Sequence, residues 1–146
     1  MTPRTVSIAS DHAGFALKAA LVSYLTEKGY TVRDLGPEAP KSCHYPVYAK
    51  ALCKEVLEHN CPGILVCGTG IGMSITANRF PGIRAALCTH EFHAVATRSH
   101  NDANVLCLGE RITGIGVAQS IATLFLETPF EGGRHAERLS LIDAIQ

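Results

Sequence analysis

The chain lacks an excess of charge of either sign. It carries 13 basic and 13 acidic side chains, dispersed along the sequence, so that its formal net charge is zero. Nucleic acids and anionic membranes attract proteins through basic surfaces, and the sequence offers no such electrostatic footprint. Any anion site must therefore be local, and we expect no nucleic-acid partner and no membrane partner.

Paired cysteines and long apolar runs are also lacking. None of the cysteines forms a C-x-x-C pair, and several lie in apolar runs typical of strands, which favours reduced thiols over disulfides or zinc ligands. No apolar stretch approaches membrane-spanning length, and the N-terminal residues show no signal-peptide core. We therefore expect a cytoplasmic protein. The cysteines are Cys43, Cys53, Cys61, Cys67, Cys88 and Cys107.

Short apolar runs alternate with longer segments of helical period. With 146 residues and 47% apolar content, the chain is long enough for one core, and we predict a single domain over residues 1–146. Strands that alternate with helices imply right-handed crossovers and a parallel sheet covered on both faces. The pattern predicts an α/β fold, a three-layer αβα Rossmann-like sandwich with a five-stranded parallel sheet. The predicted strands are 6–10, 31–35, 63–67, 84–88 and 104–108.

The run from Gly63 to Ala77 contains the strongest chemical signal. A buried apolar strand ends at Cys67, a glycine-rich turn follows, and a helix then begins, so that backbone N–H groups converge near the thiol. Such a place favours anions and stabilises a thiolate, which makes Cys67 a candidate base or nucleophile. The alternative is a small apolar residue at a strand end, with glycines that only form the turn.

Polar residues follow four of the predicted strands. They occur in the segments 10–14, 67–72, 88–93 and 109–111, and we expect them to share one crevice because ligands bind at the carboxyl ends of parallel strands. Asp11 is a candidate for this chemistry. It also lies where a helix N-cap is needed, and the two roles can coexist.

Two motifs resemble known sites only weakly. His90 and His93 are three residues apart, whereas the zinc motif H-E-x-x-H requires four, so surface or structural histidines explain them better. The glycine run 68–72 has Met73 where a dinucleotide fingerprint requires its last glycine, and it follows the third strand. The lysine of a P-loop is absent from it.

Arg134 and Arg138 are four residues apart. On a helix that starts at Arg134, both guanidinium groups lie on one face and can hold a phosphate. The alternative is a solvated basic patch that offsets Glu131 and Glu137.

Taken together, five segments resemble the type B ribose-5-phosphate isomerases, a family that also includes the galactose-6-phosphate isomerase subunits. The segments are 10–14, 67–74, 98–105, 109–111 and 131–135, so the resemblance covers nearly the whole chain. One departure is visible, because His44 precedes Tyr45 and Pro46 where the family commonly has aspartate. We therefore carry over no role for that aspartate, and we expect Tyr45 beside the pocket.

The resemblance implies an aldose-ketose isomerase that interconverts D-ribose 5-phosphate and D-ribulose 5-phosphate in the pentose phosphate pathway. The family reaction proceeds through a cis-enediolate and uses no metal or organic cofactor. Cys67 matches the general base, and Thr69 is placed to bond the sulfur or a substrate oxygen. The loop amides between Cys67 and the helix would stabilise the developing oxyanion, and this set includes Gly68, Gly70, Gly72 and Ser74.

The resemblance also assigns the opening of the sugar ring and the binding of the phosphate. His100 matches the ring-opening residue, with Asp11 as its partner across the pocket and Asn101 on the sugar hydroxyls. The phosphate set comprises His12, Arg111, Arg134 and Arg138. In relatives the neighbouring subunit donates His100, Asn101 and Arg111, which implies a homodimer with shared sites, able to pair again into a tetramer. Arg134 and Arg138 are then expected on the subunit that carries Cys67.

Alternatives remain open at this stage. An isomerase of allose or galactose 6-phosphate would share all these residues and differ in pocket depth. A non-enzymatic phosphosugar-binding protein on the same fold would need neither Cys67 nor His100. A thiol redox protein would require a resolving cysteine near Cys67 in the sequence, and none is present.

Overall fold

A computed structural model of the chain describes residues 4–145. Its five strands are β1 (Thr5–Ser10), β2 (Thr31–Asp34), β3 (Gly63–Cys67), β4 (Ala85–Leu87) and β5 (Val105–Gly109). They form one sheet in the order β2-β1-β3-β5-β4, and every neighbouring pair is parallel. The five predicted strands and the parallel sheet are thus confirmed, although residues 1–3 and 146 of the predicted domain lie outside the described residues.

Six helices connect and flank the strands. They are α1 (Phe15–Glu27), α2 (Tyr45–His59), α3 (Ile71–Ala77), α4 (Glu91–Ser99), α5 (Ile115–Glu127) and α6 (Arg134–Asp143). Proline in the first turn of α2 suits a helix start, because the missing N–H has no partner there. Among residues 4–145, none of the helices combines the length and the apolar character needed to cross a bilayer.

Both faces of the sheet are buried, as the sequence predicts. On one face, alternate side chains of β1, β3 and β5 pack against α1, α4 and α5, with Leu21 and Phe125 in the centre of the contact. On the other face, the intervening side chains pack against α2 and α3, around Leu52 and Met73. The strands are therefore fixed on both sides, and their carboxyl ends present a rigid edge.

The strand order decides where a ligand can bind. From β1 the chain continues to β2 on one side of the sheet, whereas β3 lies on the other side of β1. The loops after β1 and β3 therefore diverge at the carboxyl edge, where α/β sheets of this kind bind their ligands. We call the space between these two loops the crevice.

A buried lysine fixes the segment that follows β2. Lys18 of α1 is 2% exposed, and its Nζ donates hydrogen bonds at 2.8 Å to Asp34 Oδ1 and to the carbonyl oxygen of Pro37. The loop between β2 and α2 is thereby attached to the core, and this loop carries residues to the crevice.

Candidate active site

Cys67 lies at the carboxyl end of β3 and is 5% exposed. Its Sγ accepts a hydrogen bond from the N–H of Gly70 at 3.1 Å. Gly70 has a φ of 80°, a left-handed conformation that glycine adopts without strain, and this turns its amide back toward the sulfur. The thiol is therefore held in one position, at the start of α3.

Free backbone donors surround this thiol. Among residues 4–145, none accepts a hydrogen bond from the amides of Gly68, Thr69 or Gly72. These three amides can therefore bind oxygen atoms of a ligand, as the sequence predicts for the loop. The amide of Ser74 cannot do so, because it donates to the carbonyl oxygen of Gly70 within the helix, at 3.1 Å.

The Thr69 hydroxyl does not form the expected hydrogen bond with the sulfur of Cys67. Its Oγ1 accepts a hydrogen bond from the Ile71 amide at 3.2 Å and so helps to begin α3. The hydroxyl proton remains available to a substrate oxygen, which was the second of the two expected partners.

Tyr45 and Arg111 pack on the glycine loop. A Cβ atom added to Gly72 would lie 2.5 Å from the Tyr45 ring, and one added to Gly68 would lie 3.1 Å from Nη1 of Arg111. The loop therefore needs glycine at Gly72, because a methyl group there would displace an aromatic ring. Both side chains border the crevice beside Cys67.

Asp11 and His12 approach the same crevice from the end of β1. Oδ1 of Asp11 accepts a hydrogen bond from the Gly14 amide at 3.0 Å, which confirms the predicted capping role. Nδ1 of His12 accepts the amide of Cys43 at 3.2 Å, so the neutral ring carries its proton on Nε2 and can donate it to an anion. The catalytic role of Asp11 stays a prediction.

His44, at the position where the family resemblance led us to expect aspartate, lies immediately before α2. It occupies the N-cap position with extended backbone and makes no capping hydrogen bond through its side chain. An aspartate at an N-cap can accept a hydrogen bond from the amides of the first turn. The substitution therefore removes a potential helix cap and leaves Tyr45 in the crevice.

The four remaining site residues lie at the opposite edge of the sheet. α4 runs back from the end of β4, so that its last residues and His100 lie beside the amino ends of the strands. Nε of Arg84, which precedes β4, donates to the carbonyl oxygen of Asn101 at 3.0 Å. The amide of Glu131 donates to the carbonyl oxygen of Ser99 at 3.1 Å, which places the start of α6 at the same edge. His100, Asn101, Arg134 and Arg138 are thus separated from Cys67 within one chain.

The length of β3 sets this separation. Five residues at a rise of about 3.3 Å place the two edges on the order of 13 Å apart before side chains are considered. Asp11 and His100 of the same chain therefore do not share a pocket, and their expected partnership across two subunits stays a prediction.

The expected division of arginines between subunits is also wrong. Arg111 lies against Gly68 of its own chain, and its amide donates to the carbonyl oxygen of Gly68 at 3.0 Å. Arg134, in contrast, lies with His100 at the opposite edge. The reason is the chain path, because Arg111 follows a strand, whereas His100 follows a helix that returns to the strand starts.

At this amino edge, His100 stacks on His135. The ring centroids are 4.4 Å apart and the planes differ by 12°. Burial lowers the pKa of His135 below its ordinary value, with further lowering by His100 and Arg134. No local sequence pattern indicates this pair, because the two histidines are far apart along the chain.

The carboxylate of Glu110 was missed as well. Its Oε1 accepts the amide of Leu17 at 2.6 Å, at the start of α1. This bond joins the loop after β5 to the helix after β1 and so fixes Arg111 beside the crevice. No local pattern indicates such a contact.

His90 and His93 stack at 4.0 Å beyond the edge strand β4. Among residues 4–145, neither belongs to a group of three potential metal ligands, and Nδ1 of His93 accepts the amide of Thr89 at 3.3 Å. Their interpretation as surface histidines stands.

Comparisons with known proteins show which family the chain belongs to. The sequence profile of the family described as Ribose/Galactose Isomerase matches residues 6–142. The ribose-5-phosphate isomerase B of Escherichia coli is 41% identical over 144 residues, which cover 98% of this chain and 97% of that protein.

Solved structures are similar over nearly the whole chain. A ribose 5-phosphate isomerase from Thermotoga maritima superposes with a TM-score of 0.95 at 48% identity, covering 97% of this chain and 99% of the other. The type B ribose 5-phosphate isomerase of Trypanosoma brucei gives a TM-score of 0.95 at 46% identity, covering 99% and 100%. With the fold, the cysteine loop and the profile match in agreement, the chain belongs to the ribose/galactose isomerase family.

Proposed function

We propose that this protein interconverts D-ribose 5-phosphate and D-ribulose 5-phosphate by moving a proton between C2 and C1. The observation that carries the proposal is Cys67, a buried thiol fixed by the Gly70 amide and surrounded by free loop amides. Family membership supports it, since relatives of similar length bear the name ribose-5-phosphate isomerase B.

In this proposal Cys67 acts as the general base. Its thiolate removes the proton from C2 of the open-chain sugar, the C–H electron pair forms the C1=C2 bond of a cis-enediolate, and the carbonyl oxygen takes up negative charge. The thiol then returns the proton to C1 while the proton on O2 passes to O1, which forms the C2 carbonyl of the ketose and regenerates the thiolate. The amides of Gly68, Thr69 and Gly72 supply donors for the developing oxyanion. One preorganised donor of this kind lowers the activation free energy by about 3 kcal/mol.

The complete site requires a second copy of the chain. One copy supplies Cys67, Asp11, His12, Tyr45 and Arg111 from the carboxyl edge of its sheet. The other supplies His100, Asn101, Arg134 and Arg138 from the amino edge. We therefore propose a homodimer with two shared sites, in which two-fold symmetry builds each site once.

Exposed apolar side chains border both halves of the site. Val47, Ile71 and Ile75 are 63%, 51% and 56% exposed near the cysteine loop. Leu141 and Ile142 of α6 are 71% and 51% exposed, on the helix that begins with Arg134. Clusters of this kind favour burial between subunits, and their positions suit contact of each edge with the opposite edge of the partner.

The ring of the sugar must open before C2 can react. We assign this step to His100 of the second copy, because an imidazole exchanges protons near neutral pH. His12 and Arg111 from one copy and Arg134 and Arg138 from the other then bind the phosphate. The cytoplasmic location stays a prediction from the cysteine pattern.

A coupled assay tests the proposal. Purified protein is supplied with the 5-phosphate of ribose and the 6-phosphates of allose and galactose, with chelator present. We expect turnover of ribose 5-phosphate, and Cys67→Ala should lower it by roughly two to four powers of ten with little change in KM. Cys61→Ala is the matched control, because Cys61 is a buried thiol at the start of β3, outside the crevice. Normal activity of the Cys67 variant would refute the assignment, and turnover of a hexose phosphate alone would refute the substrate.

A further inference from the structure

A group of metal-ligating side chains lies at the amino edge, apart from the cysteine loop. His100, Glu131 and His135 each offer one ligand atom, and these atoms lie within 4.8 Å of one another. Zinc bound at 2.0 to 2.2 Å in tetrahedral geometry needs ligand atoms about 3.4 Å apart. His135 is 9% exposed and nearly fixed, and the His100 ring stacks on it with an interplanar angle of 12°. Metal binding therefore requires the exposed His100 to leave this stack and rotate, together with the exposed Glu131, until the ligand atoms converge.

The backbone already holds these residues together. The amide of Glu131 donates to the carbonyl oxygen of Ser99 at 3.1 Å, directly before His100. The amide of His135 donates to the carbonyl oxygen of Gly132 at 3.1 Å, and Gly132 has a φ of 71°, so the chain turns between Glu131 and His135, whose ligand atoms lie within 4.8 Å of each other. Little backbone entropy therefore opposes binding.

We propose that His100, Glu131 and His135 form a site for Zn²⁺, with two imidazole nitrogens, one carboxylate oxygen and water as the fourth ligand. This set has the composition of zinc sites that keep one open position. Imidazole selects zinc and similar transition metals, while Mg²⁺ and Ca²⁺ require oxygen ligands.

The neighbouring charges limit the affinity. Arg134 and Arg138 lie on the same helix as His135, and Glu131 is the single anion among the three ligands. The positive charges oppose a cation and attract phosphate, so zinc binds more weakly here than in a structural zinc site. A sugar phosphate and zinc then compete for this edge.

Zinc binding has a consequence for catalysis that rests on the proposed function. A zinc ion on His100 occupies the nitrogen needed for ring opening and places a cation where the substrate must approach. Zinc is therefore an inhibitor of the isomerase rather than its cofactor, and a chelator restores activity.

Calorimetric titration with ZnCl₂ in phosphate-free buffer tests the site without reference to activity. The wild-type protein should bind one zinc per chain, and His135→Ala and Glu131→Gln should each weaken binding by about tenfold or more. His59→Ala is the matched control: His59 belongs to a second group of potential ligands, with Glu55 and Glu58, but Arg33 already pairs with Glu55 there at 2.7 Å. This variant should therefore leave the titration unchanged. The exposed Glu131 keeps the test decisive if the His135 variant does not fold.

Unchanged zinc affinity in the Glu131 and His135 variants, or no binding to the wild type, would overturn the proposal. Absorption of the Co²⁺-loaded protein gives a second readout, because sulfur-to-cobalt charge-transfer bands would place the metal on a cysteine and overturn it as well. Zinc that binds at this site without slowing isomerisation would overturn only the link to catalysis. Absence of isomerase activity would refute the proposed function, while calorimetry would still decide the metal site.

Discussion

Mixed dimers of two inactive variants give the sharpest test of the shared site. In the first mixed dimer, one chain carries Cys67→Ala and the other carries both Arg134→Ala and Arg138→Ala. One of its two sites then receives both defects, and the other receives none. Random assembly of equal amounts gives half heterodimers, each with one intact site, so about one quarter of wild-type activity should return. Purified heterodimers should reach about one half.

The structure supplies the reason for this pairing and for its control. Cys67 and the two arginines of α6 lie at opposite edges of the sheet, whereas Cys67 and Arg111 lie at the same edge. Heterodimers of Cys67→Ala with Arg111→Ala should therefore stay inactive, because each site contains one of the two defects. The resemblance to the family by itself predicts the reverse: activity from the Cys67 and Arg111 pair, and none from the Cys67 and Arg134/Arg138 pair.

The activity expected from the mixed dimers is well above the residual activity expected from either variant alone. Removal of a positioned base costs roughly two to four powers of ten in rate. Each charge-assisted hydrogen bond to phosphate contributes about 1.5 to 3 kcal/mol, so loss of two arginines lowers kcat/KM by roughly a hundredfold or more. A return to one quarter is therefore far above either background.

The assay uses chains with two different affinity tags, co-expressed and purified through both. Ribose 5-phosphate turnover at low substrate concentration is measured for each verified heterodimer. Recovery in the Cys67 and Arg111 pair, together with none in the Cys67 and Arg134/Arg138 pair, would refute the placement of the two half-sites.

Three further predictions follow from individual residues. His100→Asn should slow ribose 5-phosphate, which is mostly cyclic, far more than ribulose 5-phosphate, and equal losses would make His100 a binding residue. Burial raises the pKa of Cys53 to about 11 and that of Cys88 to about 12, so both thiols stay protonated at pH 8. Iodoacetamide at that pH should inactivate the protein through Cys67 while mass spectrometry finds those two unmodified, and substrate should protect. Lys18→Ala should lower the free energy of unfolding by about 3 kcal/mol, since it removes a buried donor of two hydrogen bonds, and an unchanged urea midpoint would contradict this.

Much of the fold is predictable because its signals are local. Apolar periodicity and glycine or proline at the turns placed all five strands within one residue of their observed ends. The run from Gly63 to Ala77 likewise predicts a strand, a tight turn and a helix, and the structure contains β3, the Gly70 turn and α3 in that order. Side-chain alternation and turn chemistry depend on neighbours a few residues apart, so the sequence suffices for them.

The position of each half-site depends on contacts that are distant in sequence. The strand order places β1 beside β3, and the return of α4 carries His100 to the opposite edge from Cys67. Glu110 accepts a hydrogen bond from the amide of Leu17, which lies 93 residues earlier in the chain. His100 stacks on His135, which lies 35 residues later. The sequence by itself determined the strands, the cysteine loop with the helix that follows it, and the family. Only the tertiary structure decided which site residues share an edge, because that depends on the path of the whole chain through the sheet.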